Sequence, residues 1–398
     1  MIKIDDIDVK GKKILLRVDL NSPIEEGKIV LNPRIRRHSE TIRELSERGA
    51  MVIILAHQGR KGKNDFTNLE QHSKLVQELT GKKIKFVDDV TGEKAKNAIK
   101  EMKEGEIVML DNVRMLDDEN SENPYEAEIV KGLSPLADCF VLDAFSIAHR
   151  KQASIVGFTR GIPCYFGPVI SREMDAIDKI RHAEKVTFFF GGAKVDDSIN
   201  ILHEWLGKGH VKKALLGGAD AILFLYAQGK NIGKSYEFLK EHDLLQFVEQ
   251  AKEMMEKFGD RIVLPVDAGM NINGKRIECD VENISDGEIF DIGEKTIKLF
   301  GDILMDSHTI VFNGPAGVYE VEGFEKGTFS ILKSIADSEA FSLLGGGHTI
   351  TAIDKSGLER GKFSYISLAG KALIGSLSGK EMVAVREILG NQESFKNK

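Results

Sequence analysis

Short apolar, branched runs alternate along the chain with longer segments in which apolar residues recur every three to four positions. The short runs predict strands at 14–18, 52–56, 84–87, 107–110 and 139–142 in the first half. In the second half they predict strands at 186–190, 214–216, 262–266, 309–312, 341–344 and 363–367. The longer segments predict helices at 34–48, 69–79, 243–258 and 293–306. In 34–48, Ile35, Ile42 and Leu45 fall on one face and polar residues fill the rest. Strand-helix alternation of this kind predicts an α/β protein of parallel sheets covered on both faces. Gly161-Ile162-Pro163 and Gly167-Pro168 break the pattern near the middle, and 169–182 then reads as one helix long enough to connect two sheets. At 398 residues, two domains are expected. The polar end, 391–398, is expected to fray.

Composition narrows the function classes. Apolar residues at 42% and charged residues at 29% are those of a globular protein. A net charge of −7 argues against nucleic acid or an anionic membrane as partner, although a local cationic pocket remains compatible with it. Cys139, Cys164 and Cys279 match no metal-ligand spacing and read as buried free thiols of a reducing compartment. No apolar signal core opens the chain, and no apolar run approaches the ~20 residues that span a bilayer. A cytoplasmic protein is expected.

Ligands of open parallel sheets bind beyond the carboxyl ends of the strands. The residues that follow the first-half strands are Asp19 and Asn21; His57, Gly59 and Arg60; Asn112 and Arg114; and Asp143, His149 and Arg150, while Arg34 opens the first helix. A single arginine at a strand end is ordinarily a solvated surface group. Four arginines and two histidines at one end of one sheet point to a small ligand with phosphate and carboxyl groups, and a carboxylate among them suits its hydroxyl.

The second-half strands end in glycines: Gly191-Gly192-Ala193-Lys194, Gly217-Gly218, Asn313-Gly314-Pro315-Ala316-Gly317 and Gly345-Gly346-Gly347-His348-Thr349. Glycines let the backbone approach an anion, and a helix start points N–H groups at it. The spacing fits neither a P-loop nor a dinucleotide fingerprint. Each pair alone also suits tight strand-to-helix packing; four at strand ends suggest a nucleotide site, with Lys194 for phosphate, Gly217-Gly218 for a flat base and Glu320 for ribose hydroxyls.

Together these segments identify a family. The chain resembles phosphoglycerate kinases along nearly its whole length, through Arg17-Val18-Asp19-Leu20-Asn21, His57-Gln58-Gly59-Arg60, Asp111-Asn112-Val113-Arg114, the segment from Asp143 to Arg150, Gly191 to Lys194, Leu264 to Asp267, Asn313 to Val318 and Gly345 to Gly347. The resemblance implies two Rossmann-like, doubly wound parallel-sheet domains joined by a helix and a hinge. One, 1–167, takes the glycerate, and 379–398 packs back on it. The other, 168–378, takes the nucleotide and includes the connector helix 168–183. The implied reaction is reversible phosphoryl transfer between 1,3-bisphosphoglycerate and MgADP, giving 3-phosphoglycerate and MgATP, by a monomer or homodimer. Asp19, Leu20, Asn21, Arg34, His57, Gln58, Gly59, Arg60, Arg114 and Arg150 are the implied glycerate residues. Arg34, Lys194 and Gly347 are the implied catalytic ones. Gly191, Gly192, Lys194, Gly217, Gly218, Asn313, Pro315, Gly317, Val318, Glu320, Gly345, Gly346, Gly347, His348 and Thr349 are the implied nucleotide residues. Mg²⁺ is expected to be held by the nucleotide, with no protein ligand assigned.

Three positions depart from the usual family pattern. Ser198 stands where a second lysine is usual, His348 where an aspartate follows the triple glycine, and Leu368-Ala369-Gly370-Lys371-Ala372 where a glycine-rich loop is usual. The first two resemble archaeal members. The alternative function is a non-catalytic phosphometabolite- or nucleotide-binding protein on the same fold; a dehydrogenase is disfavoured by the missing fingerprint.

Overall fold

The computed structural model describes residues 1–396. The chain forms two compact units, Met1–Asp175 with the segment from Glu381 on, and Ala176–Lys380. The division falls inside the helix Pro168–Arg181, which the two units share.

The first unit is built on six parallel strands, in the order Ile84–Val87, Ile107–Leu110, Met51–Leu55, Lys13–Arg17, Cys139–Leu142 and Cys164–Phe166. Every residue of Ile107–Leu110 and Cys139–Leu142 is buried, as a parallel sheet covered on both faces requires. The early strands lie to one side of Lys13–Arg17, and the chain then crosses to place Cys139–Leu142 on the other. The winding therefore reverses between these two strands, and a crevice opens beyond their ends.

The second unit repeats the plan with the strand order Ile262–Val263, Val211–Leu216, Val186–Phe190, Thr309–Asn313, Phe341–Gly345 and Tyr365–Ile366. Counted in chain order this is 3-2-1-4-5-6, the doubly wound order of dinucleotide-binding sheets, and its reversal falls between Val186–Phe190 and Thr309–Asn313. Three consecutive phenylalanines fill the centre; Phe189 stacks on Phe312 at 4.8 Å and Phe188 on Phe190 at 5.3 Å. An antiparallel sheet is inserted here, with Asp267–Ile272 between Lys275–Asp280 and Glu288–Ile292.

Most predicted strands form within a few residues of their expected ends. The run 262–266 does not: pairing stops at Val263, because Pro265 has no N–H for a ladder and the chain turns into the antiparallel sheet. Cys164–Phe166 is an edge strand among residues expected to break the pattern. The end of the chain also differs from expectation. Helix Val383–Lys396 runs through 391–396, while residues 397 and 398 of the stretch expected to fray lie outside the described residues. Buried Asn391 accepts from Cys164 N at 2.9 Å and donates to Thr159 O and Ile162 O, while Gln392 bonds both backbone groups of Ile2. Cys139 and Cys164 are buried free thiols; Cys279, on the antiparallel sheet, is only half-buried.

Candidate active site

In the first unit the loop after Lys13–Arg17 is fixed by a buried cation. Arg17 is fully buried; its Nε donates to Ser154 Oγ at 3.0 Å and its Nη2 to His57 Nδ1 at 3.1 Å. A guanidinium cannot accept, so Nδ1 of His57 is the bare nitrogen and its proton sits on Nε2. Burial and the adjacent Arg17 push the His57 pKa well down, so the ring is neutral. Burial likewise lowers Arg17 to about 10, against the pull of Glu119 and Asp19. Ser154 links Arg17 to Glu119, donating to Glu119 Oε1 at 2.7 Å.

Asp19 is buried beside this group. It accepts from Asn21 N at 3.1 Å and from the Ser146 hydroxyl, and Arg34 Nη1 lies 3.4 Å from its Oδ2. Burial alone would raise its pKa; because the His57 ring is neutral, it is the Arg34 guanidinium and the Ser146 hydroxyl that reverse this and keep Asp19 ionised. Arg34 is positioned by its helix, Pro33–Glu47, where Asn32 caps by accepting from Ile35 N at 3.0 Å.

Arg60, Arg114 and Arg150, from three different strand ends, line one cavity of about 420 Å³ with Lys61, Asn120 and Gln152. Among the described residues, none of the three forms an ion pair with a carboxylate. Burial lowers the pKa of Arg114 and Arg150, and the arginines depress one another further. Such a cluster is stabilised by an anion. Two other residues of the same segments face inward. Leu20 is fully buried, and Gln58 bonds Ser22, His72 and Asp65, so their side chains shape the loop. Gly59 N donates to Asn21 Oδ1 at 2.9 Å, and Arg114 Nη1 bonds Gly59 O. His149 is exposed beside Arg150.

In the second unit, loops from neighbouring strand ends meet backbone to backbone. Gly192 N donates to Pro315 O, Gly218 N to Ala316 O and Ala219 N to Gly192 O, each at 2.8 Å. Gly314 has φ +90° and a Cβ there would lie 2.2 Å from Gly191 O; Gly218 has φ +52° and a Cβ would lie 2.6 Å from Gly192 N. Only glycine fits these two positions. The glycine pairs thus serve loop packing, and they also leave a slot of about 250 Å³ lined by Gly192, Gly218, Ile222, Phe238, Pro315, Val318, Glu320 and His348 among others. A largely apolar lining with a few polar groups suits a base and a ribose.

Beside the slot, Lys194 is exposed at the start of helix Val195–Gly207. Gly347 opens helix Gly347–Ser356 after Gly346, and Asn313 lies against Gly345 and Gly346. Thr349 is buried and donates to Gly345 O at 2.7 Å, so its hydroxyl is structural. Exposed His348 has Nδ1 3.4 Å from Glu320 Oε1. Lys371 is exposed at the start of helix Lys371–Leu377, which packs against Val195–Gly207. Burial raises the Asp197 carboxyl and Asp196 adds to this, while Lys371, Lys194 and Lys380 oppose it, so the lysines lie around one carboxylate. Among the described residues no group of three His, Cys, Asp or Glu is arranged to hold a metal.

Ser198 points beneath the loop: it is buried and donates to Asp220. Asp220 is fully enclosed on helix Gly218–Ala227, its Oδ2 has no hydrogen-bond partner among the described residues, and burial raises it to about 7. The native state therefore holds a proton that the unfolded chain releases, and the contribution to stability is lost as pH rises from 3.8 to about 7. Asp220→Asn should remove that slope. Between about pH 5 and about pH 8, urea titration should show the parent losing on the order of 1–3 kcal/mol more than the variant. Equal losses would place the carboxyl elsewhere.

Arg17, Glu119, Ser146 and Ser154 were not among the expected site residues, nor were Phe238, Glu288 and Ile289 of the slot. Arg17 stood inside a quoted motif, but burial of an arginine leaves no trace in a sequence.

The phosphoglycerate kinase family profile matches residues 4–380. The chain is 41% identical over 391 residues to the phosphoglycerate kinase of Methanothermobacter thermautotrophicus, covering 96% of this chain and 95% of that one. It is 41% identical over 412 residues to that of Methanococcus maripaludis, covering 99% of each. The crystal structure of the phosphoglycerate kinase from Pyrococcus horikoshii OT3 superposes with a TM-score of 0.90 at 37% identity, covering 99% of this chain and 100% of that one. With the family profile matched over most of its length, relatives about 41% identical over nearly the whole chain and a structure that superposes at a TM-score of 0.90, this chain belongs to the phosphoglycerate kinase family.

Proposed function

We propose that the protein catalyses reversible phosphoryl transfer between 1,3-bisphosphoglycerate and MgADP, with the glycerate on the first unit and the nucleotide on the second. The observation that carries this reading is the pair of switch points: arginines without carboxylate partners around one, and a glycine-lined, largely apolar slot beside an exposed lysine at the other. In the direction of ATP use, a carboxylate oxygen of 3-phosphoglycerate attacks the γ-phosphorus, the bond to the β-phosphate oxygen breaks, and ADP leaves. No proton transfer is needed, so the residues act by position and charge. Arg60, Arg114 and Arg150 hold the substrate's phosphate, and Asp19 and Asn21 its hydroxyl. Arg34 answers the charge at the carboxyl, Lys194 that of the moving phosphoryl, and the N–H groups at Gly347 its oxygens.

Magnesium enters with the nucleotide, bound to phosphate oxygens and waters, as a hard cation prefers. An imidazole is a poor direct ligand for it. His348→Ala should therefore cost less turnover than Lys194→Ala, which should lower kcat by about 10²-fold. A larger loss at His348 would reverse these roles. We take the reaction to be cytoplasmic; among the described residues no helix is long and apolar enough to cross a membrane.

Turnover of 3-phosphoglycerate with MgATP tests the proposal. Phosphate transfer supports it, and binding of both ligands without turnover would favour the non-catalytic alternative. Because the ligands occupy different units and transfer needs water excluded, the radius of gyration with both bound should be smaller than with either alone. An unchanged radius in small-angle scattering would contradict closure.

A further inference from the structure

Arg276 lies on Lys275–Asp280, a strand whose residues are exposed or half-exposed, yet its own side chain is 9% exposed. It crosses the neighbouring strand at Gly269, where a Cβ would stand 2.6 Å from the guanidinium carbon. Beyond that crossing the guanidinium bonds four acceptors. Nε donates to Glu278 Oε1 at 2.7 Å, Nη1 to Asp291 Oδ2 at 2.7 Å and to Gly323 O at 3.2 Å, and Nη2 to Ile292 O at 2.9 Å.

Two of these acceptors flank the wall of the nucleotide slot. Gly323 ends the turn that carries Pro315, Gly317, Val318 and Glu320. Asp291 Oδ2 also accepts from Gly327 N at 2.7 Å, where the next helix, Lys326–Asp337, begins. Ahead of Gly323 and Gly327 in the chain, Val318 N donates to Phe290 O at 2.7 Å. The segment 314–327 is thus tied to strand Glu288–Ile292 at Val318, Gly323 and Gly327, and Arg276 holds the last two, Gly323 directly and Gly327 through Asp291. Asp291, Phe290, Gly317, Val318 and Glu320 line the slot; Arg276 itself lies behind it.

We propose that Arg276 is a positioning residue for the nucleotide, and that the antiparallel sheet serves to clamp segment 314–327 in the shape that receives the base and ribose. This rests on reading the slot as the nucleotide site. A hairpin needing only an ion pair would be served by a surface lysine; the planar fork reaching two backbone carbonyls and a buried carboxylate fixes a loop.

Arg276→Met leaves Asp291 buried without its counter-charge, so the test also uses Arg276→Met with Asp291→Asn, which keeps an acceptor for Gly327 N. Measured against the Asp291→Asn single variant, so that the change at the slot-lining carboxyl cancels, the folded double variant should show a KM for MgATP raised about tenfold, while kcat and the KM for 3-phosphoglycerate stay within about twofold of that single variant. Arg276→Lys should recover only part of the loss. Amide exchange in 317–323 should speed up in the variants without nucleotide. A folded double variant with unchanged KM for MgATP overturns the proposal, as does an equal rise for 3-phosphoglycerate. MgADP applied to the parent separates the two readings. Protection of 314–323 with an unchanged variant KM defeats the clamp alone, and no protection defeats both.

Discussion

With 1,3-bisphosphoglycerate and MgADP as substrates, Arg34→Ala is expected to lower kcat by about 10²–10³-fold while raising the KM for 1,3-bisphosphoglycerate less than about tenfold. The guanidinium is aimed from the second residue of helix Pro33–Glu47, whose start is fixed by the Asn32 cap, and Asp19 holds Nη1 at 3.4 Å. It is therefore set in place before substrate arrives. In the direction of ATP formation the bond between the phosphoryl group and the carboxyl oxygen breaks and charge develops on that oxygen as transfer proceeds, so there the interaction is stronger in the transition state than in the bound ground state. Arg34→Lys should recover part of kcat, since an ammonium carries the charge without the fork. A change confined to KM would make Arg34 a ground-state binding group.

Arg17→Met should destabilise the protein by about 3–5 kcal/mol, because it strands Glu119 in a buried site. Glu119 is already raised by burial, with Arg17 and Ser154 holding it back. Losing Arg17 raises it further, so the variant's Glu119 takes up a proton on folding. The sign follows: stability lost in the variant is greater near pH 8 than near pH 5, roughly speaking, since protonation relieves the uncompensated charge at low pH. Chemical denaturation of parent and variant at the two pH values checks both size and sign. A loss under about 1 kcal/mol, or one independent of pH, would show that Arg17 is not the counter-charge of that site.

The two parallel sheets were legible because parallel strands are buried on both faces and read as unbroken apolar runs, as in Val186–Phe190 and Cys139–Leu142. Residues after those runs were legible for the same reason: once the strands are placed, their carboxyl ends follow, and Arg60, Arg114 and Arg150 meet in one cavity. The antiparallel insert escaped because its strands are half-exposed and mixed in composition, and Lys275–Asp280 holds no apolar alternation to find. One local signal was there. Asn273-Gly274, with φ of 52° and 79°, makes the two-residue turn between Asp267–Ile272 and Lys275–Asp280. The roles of Gln58, Thr349 and Ser198 were not legible, since whether a polar side chain faces a ligand or a buried partner is decided by tertiary packing.

Amide hydrogen exchange of the intact protein with each ligand alone tests the division of labour most directly. With 3-phosphoglycerate, protection should fall on the segments around Asn21, Arg60, Arg114 and Arg150. With MgADP it should fall on 191–194, 217–219, 314–323 and 345–349. Nucleotide protection in the first unit, or glycerate protection confined to the second, would contradict the assignment of the two half-sites.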